Sequence, residues 1–220
     1  SGDMKAGCAV MMEVMKYFAS KKNKPSLGLM LTTDEEIGGF NGVGHLVNNK
    51  GYRPEVTIIP DGGVDLSTIV INEKGVLHIK VKAKGRAAHG SRPFLGHNAI
   101  DELIAIYEEL RRSIPHIDSS EWKSSMNLGR IQGGEATNKV PDQAEMHLDI
   151  RYAEEGERKR ILERIGDLTS DFEILAQGPP FIQSPQDPYI KEYIQTAKDR
   201  IGKDINYHRS EGASDARFFS

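Results

Sequence analysis

Short apolar runs and stretches of helical period alternate over the first seventy residues. Between 4 and 18 the apolar positions Met11, Val14, Met15 and Phe18 recur every three or four residues, which predicts an amphipathic helix. Asn23-Lys24-Pro25 breaks it. The almost wholly apolar run 27–31 reads as a buried strand, as does 56–59, which ends at Pro60-Asp61-Gly62-Gly63. A second helix is predicted over 42–49. This β-α-β rhythm predicts a mostly parallel sheet covered by helices.

From Lys74-Gly75 the period changes to two. Leu77, Ile79, Val81 and Ala83 alternate with His78, Lys80, Lys82 and Lys84, as in a strand with one wet face. Met146, Leu148 and Ile150 alternate in the same way with His147, Asp149 and Arg151. Further strands at 126–131 and 172–176 and helices at 98–112 and 155–168 complete the order β-α-β-β-α-β, a ferredoxin-like sheet with two helices on one face. Gly178-Pro179-Pro180 and Ser184-Pro185 mark a hinge, followed by a helix over 188–201 and a strand over 205–208. The predicted fold class is α/β. A mostly parallel-sheet domain over 1–74 and 182–220 is interrupted by an inserted α+β domain over 75–181.

Composition narrows the function classes. With 38% hydrophobic and 28% charged residues, the 220-residue chain can bury a core. A net charge of -3 gives no global attraction to nucleic acid or to an anionic membrane, and neither is an expected partner. The basic alternation at Lys80, Lys82, Lys84 and Arg86 reads as one solvated strand face. No apolar run approaches the roughly 18 residues that cross a bilayer. The single cysteine, Cys8, excludes an intrachain disulfide and fits a reducing, cytoplasmic setting.

Candidate chemistry gathers at predicted strand ends, where open α/β sheets bind ligands. Thr33-Asp34-Glu35-Glu36 precedes Ile37-Gly38-Gly39. Adjacent carboxylates in a loop can point apart, one towards a cation and one towards a water; an acidic turn in solvent has the same sequence. Asp61 follows the second apolar run, and carboxylates on neighbouring strands about 4.8 Å apart can share one ion, although Asp before Gly is also an ordinary turn. Asp3 reads equally as a helix N-cap. In the inserted domain, His89 lies in Gly85-Arg86-Ala87-Ala88-His89-Gly90-Ser91, Asn138 in a second Gly-rich loop, and Arg151 at a strand end. A His, an Asn and an Arg suit polarising a carbonyl and holding a carboxylate; two ordinary turns and a wet-face Arg account for them as well.

Taken in order, these segments resemble the co-catalytic zinc metallopeptidases and amidohydrolases that include glutamate carboxypeptidase, the cytosolic dipeptidases and tripeptidases, acetylornithine deacetylase and succinyl-diaminopimelate desuccinylase. Ser1-Gly2-Asp3-Met4-Lys5-Ala6-Gly7, Thr33-Asp34-Glu35-Glu36, Asp61, and Gly212-Ala213-Ser214-Asp215-Ala216-Arg217-Phe218 carry the likeness. The resemblance implies a hydrolase of an amide or peptide bond in a small substrate with a carboxylate, such as a di- or tripeptide or an N-acyl amino acid. It implies two zinc ions per site, with cobalt or manganese as substitutes. Asp3 would bridge them, Glu36 and Asp61 would each bind one, and Glu35 would be the general base towards the water between them. His89 would stabilise the oxyanion of the partner subunit in a homodimer formed through the inserted domain, and Asn138 and Arg151 would contact substrate. Asp61 leans towards the peptidase branch over deacylases and desuccinylases.

Two elements of the family pattern are not in these 220 residues: a His-x-Asp upstream of Asp3 and a final His downstream of the Gly212 segment. The expectation is therefore a segment of a longer hydrolase in which each metal keeps two of its three protein ligands, binding zinc weakly and inactive alone. The competing reading is a non-catalytic dimerisation or binding relative of the same fold.

Overall fold

The computed structural model describes residues 4–61, 65–114 and 121–219. The chain divides into two compact units, one formed by Ser1–Glu73 with Phe181–Ser220 and the other by Lys74–Pro180.

The inserted unit is a four-stranded antiparallel sheet of β2 (Gly75–Lys84), β3 (Ser125–Gly133), β4 (Gln143–Tyr152) and β5 (Phe172–Gly178), in the order β3-β4-β2-β5. Numbered within the unit this is the 4-1-3-2 order of a ferredoxin-like sheet, as the period-two reading predicts. The alternation sets which face is dry. Leu77, Ile79 and Val81 of β2 are fully buried, while His78, Lys80 and Lys82 face the wet side. β4 repeats the pattern with Met146, Leu148 and Ile150 inside. The two strands pair in unbroken register from Gly75 opposite Tyr152 to Lys84 opposite Gln143.

Helices α3 (Ala99–Ser113) and α4 (Glu157–Leu168) complete the core. Ala99, Leu103, Ile106 and Leu110 form the buried stripe of α3, and Ile161 and Ile165 that of α4. Asn98 caps α3, its side chain accepting from the Ile100 amide at 2.9 Å. Gly75 has no side chain because the Tyr152 ring lies across it; a Cβ there would come within 2.3 Å of the ring. The Tyr152 hydroxyl donates to the Gly178 carbonyl at 2.6 Å, tying the end of β5 to β4.

The other unit contains α1 (Lys5–Ala19), α2 (Val43–Asn48), α5 (Pro188–Ile201) and a three-stranded sheet of β1 (Thr68–Glu73), β6 (Phe181–Ile182) and β7 (Asn206–Ser210). β1 is central, parallel to β7 and antiparallel to β6. The α5 boundaries follow local signals: Asp187 caps the Tyr189 and Ile190 amides, Pro188 takes the first position, and Gly202 ends the helix at φ 71°.

Three features of this unit differ from the periodicity reading. The runs 27–31 and 56–59 are extended but belong to no strand, and Leu27, Leu31, Val56 and Ile58 are exposed. An apolar run becomes a strand only when another segment supplies its ladder, and no described residue pairs with either. The described sheet is mixed, one parallel and one antiparallel pairing, where a mostly parallel one is expected. β1, which pattern alone does not mark, forms because β6 and β7 flank it.

The core of the inserted unit makes a direct prediction. Ile79→Ala removes a fully buried side chain from the central strand and should cost about 2–5 kcal/mol. Denaturant unfolding followed by the fluorescence of Trp122, the only tryptophan, measures it.

Candidate active site

Glu35 and Glu36 sit on a single 3-10 turn, Glu35–Ile37. The backbone closes the turn three times, with the Ile37 and Gly39 amides donating to the Asp34 carbonyl at 3.2 and 2.7 Å and the Gly38 amide to the Glu35 carbonyl at 2.8 Å. Asp34 does not face the cluster freely. Its Oδ2 accepts from the Asn41 and Gly42 amides at 2.9 and 2.8 Å, fixing the entry to α2. Gly38 and Gly39 take φ of 104° and 64°, which L side chains rarely adopt. Gly39 is doubly constrained, since a Cβ there would lie 2.1 Å from Oδ1 of Asp215.

The C-terminal segment packs directly against this turn. Residues Asp215–Phe218 form another 3-10 turn, and Phe218 joins Val43 and Val47 of α2 in a small apolar core. Arg217, itself buried, donates to the Gly38 carbonyl at 2.8 Å. Asp61 belongs to the same neighbourhood, because its charge acts on both Glu35 and Asp215. Gly7 of α1 packs closely against Pro60, where a Cβ would lie 3.0 Å from the ring and the carbonyl, so the first turns of α1 lie beside the Asp61 segment. Asp3, the expected bridging ligand, lies outside the described residues.

Crowding of carboxylates shows in the protonation of Glu35. Partial burial, then the charges of Asp215, Asp61 and Glu36, push its carboxyl up to about 7, against a smaller opposing pull from Arg217. Asp215 is raised in the same direction, chiefly by burial, with Arg217 opposing and Asp34, Asp61 and Glu73 adding. Asp215 and Arg217 lie beside the Glu35 turn, and the sequence reading leaves both without a role. The signal was present in the Gly212 to Phe218 segment, but which of its side chains turn inward is a matter of packing.

Zinc at a catalytic site takes three protein ligands. Among the described residues no three His, Cys, Asp or Glu side chains are placed to hold one ion. The charge of the cluster fits a divalent cation, whose presence would relieve the repulsion at Glu35; the described donors, Glu36 and Asp61, do not complete a coordination shell.

In the inserted unit the two Gly-rich loops are stitched together by backbone bonds. The Gly90 amide donates to the Asn138 carbonyl at 2.7 Å, and the Val140 amide to the Ala88 carbonyl at 2.8 Å. His89 and Asn138 are therefore neighbours, both exposed, beside a groove of about 570 Å³ lined in part by Gly90, Gly134 and Thr137. The Ser91 amide points at Nδ1 of His89 (3.2 Å) and the Ser91 hydroxyl lies 2.8 Å from it. Nδ1 is thus the acceptor, and in the neutral ring Nε2 carries the proton. Arg151 is elsewhere. It pairs with both oxygens of Asp149 at 2.7 and 3.1 Å, opposite Val76 at the far end of β4.

Residues 71–172, which span the inserted sheet and its helices, match the peptidase dimerisation domain. The chain belongs to the peptidase and amidohydrolase family that carries this domain. A probable carboxypeptidase of Paracoccidioides lutzii is 36% identical over 163 residues, covering 69% of this chain and 36% of the relative. An acetylornithine deacetylase of Vibrio parahaemolyticus is 31% identical over 160 residues, covering 69% of this chain and 41% of the relative. The chain thus spans well under half the length of these relatives. Among solved structures, a tripeptidase of Staphylococcus aureus superposes with a TM-score of 0.80 at 23% identity over 98% of this chain and 59% of its own. The aminopeptidase PepT of Bacillus cereus gives 0.77 at 21% over 100% and 60%. These two show that the family fold extends across both units. No helix among the described residues is long and apolar enough to cross a membrane.

The raised carboxyls predict how the cation-free protein responds to pH. Between the ordinary value of Glu35, 4.5, and about 7, the folded chain keeps a proton that the unfolded chain has released. The stability this confers is fully present below about 4.5 and is lost as pH rises through about 7; Asp215 contributes with the same sign. The melting temperature of the cation-free chain should fall between pH about 5 and about 8, and Glu35→Gln should flatten that slope. An equally steep slope in the variant would assign the effect to other groups.

Proposed function

We propose that this chain carries the general base, part of the cation set and the dimerisation unit of a metal-dependent hydrolase. Its substrate is a small molecule with an amide or peptide bond and a free carboxylate, a di- or tripeptide or an N-acyl amino acid. The observation that supports this reading best is the convergence of Glu35, Glu36, Asp61 and Asp215 on one place, with Glu35 on a backbone-closed turn. Concentrated like charge is costly without a function or a cation to balance it.

Glu36 and Asp61, with Asp3, would hold two divalent cations, zinc in this reading. When bound, the cations would supply an acidified water and polarise the scissile carbonyl. Glu35 takes the proton that the water loses as the carbon–oxygen bond forms and the carbonyl opens to an oxyanion, and then delivers that proton to the amine as the carbonyl re-forms and the carbon–nitrogen bond breaks. In the cation-free chain burial and neighbouring charge raise the Glu35 carboxyl, and bound cations would draw it back towards the carboxylate that accepts the proton. His89, with its proton on the exposed Nε2, is suited to donate to the oxygen that becomes negative. Asn138 beside it offers an amide. The Arg151 guanidinium, held flat by Asp149, suits a substrate carboxylate.

Geometry within the inserted unit bears on which copy of the protein each group serves. The His89–Asn138 loops follow the end of β2 where Lys84 faces Gln143, and Arg151 lies eight residues further along β4. At the rise of an extended chain that is roughly 26 Å, more than a dipeptide spans. The two ends of the sheet therefore serve two different substrate molecules, one of them in the second copy of a homodimer.

Two sets of measurements test the proposal, both on the full gene product that carries this sequence. Against dipeptides, N-acetyl and N-succinyl amino acids, Glu35→Gln should lower kcat by about two to four orders of magnitude with bound zinc unchanged, while Glu36→Ala should lower zinc content measured by elemental analysis. Retained turnover in Glu35→Gln would reject it as the base. In mixed dimers, a subunit with His89→Ala should impair a partner carrying wild-type His89, and impairment confined to the mutated subunit's own site would overturn the cross-subunit role.

A further inference from the structure

We propose that Arg217 is a positioning residue for Glu35 and Glu36, acting through the Gly38 carbonyl and anchored to the sheet by a buried contact between Glu73 and Ser214. This inference rests on the hydrolase reading for its catalytic consequence, but the clamp itself is a property of the fold.

The chain of contacts begins in the central strand. Glu73 ends β1 and is buried, and its carboxylate accepts from both the amide and the hydroxyl of Ser214, each at 2.8 Å. Bonds from a backbone donor and a hydroxyl to one buried carboxylate are charge-assisted and hold Ser214 in one orientation. The Ser214 hydroxyl oxygen in turn accepts from the Ala216 amide at 3.1 Å, capping the Asp215–Phe218 turn. That turn aims Arg217, and Arg217 donates to Gly38 at 2.8 Å.

The guanidinium has a second set of contacts that explains why an Arg suits this place. It lies over the rings of Phe218 and Phe40, 5.2 and 5.9 Å from their centres, and the two rings meet edge to face at 5.8 Å. A planar cation can stack on the rings and still offer N–H groups at its edge; an ammonium cannot do both. Phe40 follows Gly39 directly, so the Arg grips the loop at its carbonyl and again at its aromatic side chain. Gly38 is the first residue beyond the turn that carries Glu35 and Glu36. If its carbonyl is released, the turn loses its bond from the Arg217 guanidinium and keeps the local bonds, from the Ile37, Gly38 and Gly39 amides and from those that cap Asp34.

The test compares wild type with Arg217→Gln and Arg217→Lys in the full gene product, by amide hydrogen exchange and by steady-state kinetics on the substrate panel. Arg217→Gln should speed exchange at Gly38 and Gly39 by about tenfold or more, the range expected for a lost bond to a charged donor, while amides of β1, β7, β2 and β4 keep their protection. Arg217→Lys should recover part of that loss. Turnover should fall by a similar factor with KM within about threefold, and Glu35→Gln/Arg217→Gln should be no slower than Glu35→Gln alone, because a residue that acts through Glu35 has nothing left to position. Unchanged exchange at Gly38 and Gly39, or losses that multiply in the double variant, would overturn the proposal. If Arg217→Gln strips protection from β1 and β7, Ser214→Ala, which keeps the backbone bond to Glu73, is read against the same expectations. Should the wild type turn over no compound of the panel, the hydrolase reading fails, and the exchange measurements alone decide the clamp.

Discussion

The pairing of β1 with β7 joins two stretches of chain that the inserted unit separates, and the candidate site depends on it. Glu73 at the end of β1 and Ser214 just beyond β7 are 141 positions apart in sequence and in direct hydrogen-bond contact. That contact delivers Asp215 and Arg217 to the turn bearing Glu35 and Glu36. Without it the acidic turn would be a surface loop with three consecutive carboxylates and no counter-charge. A parallel pairing needs a long crossover connection in any case, and the inserted unit lies within that connection.

Electrostatics and packing oppose each other at this turn, and packing prevails. Like charges converge on Glu35, and burial adds to the cost of ionising it. Backbone bonds, the Asp34 cap, the apolar cluster of Val43, Val47 and Phe218, and the Arg217 guanidinium hold the arrangement in place. The raised carboxyl of Glu35 is the measure of that opposition.

The inserted unit works by a different logic. Its central pairing, β2 with β4, is an unbroken ladder, and the sheet has one dry face. His89 and Asn138 stand at one end and the Asp149–Arg151 pair at the other. The unit matches a peptidase dimerisation domain, which is the ground for the homodimer in the proposed function.

How much was legible in the residue order follows from how local each feature is. Strict alternation at Leu77 to Ala83 and at Met146 to Ile150 is a local code, and it determined the ferredoxin-like insert; the adjacency of the two Gly-rich loops came only from the fold. The order of the acidic motifs carried the resemblance to the family, which the match over 71–172 supports independently. Tertiary structure alone decided the rest. Runs 27–31 and 56–59 have strand composition but no ladder among the described residues, because pairing is a property of two segments and not of one. Asp215 and Arg217 became part of the site through the Glu73–Ser214 contact, which no local pattern encodes. The separation of Arg151 from His89 was fixed by strand register. In each case the deciding quantity was a distance between residues far apart in sequence, and residue order carries that information only through the fold it produces.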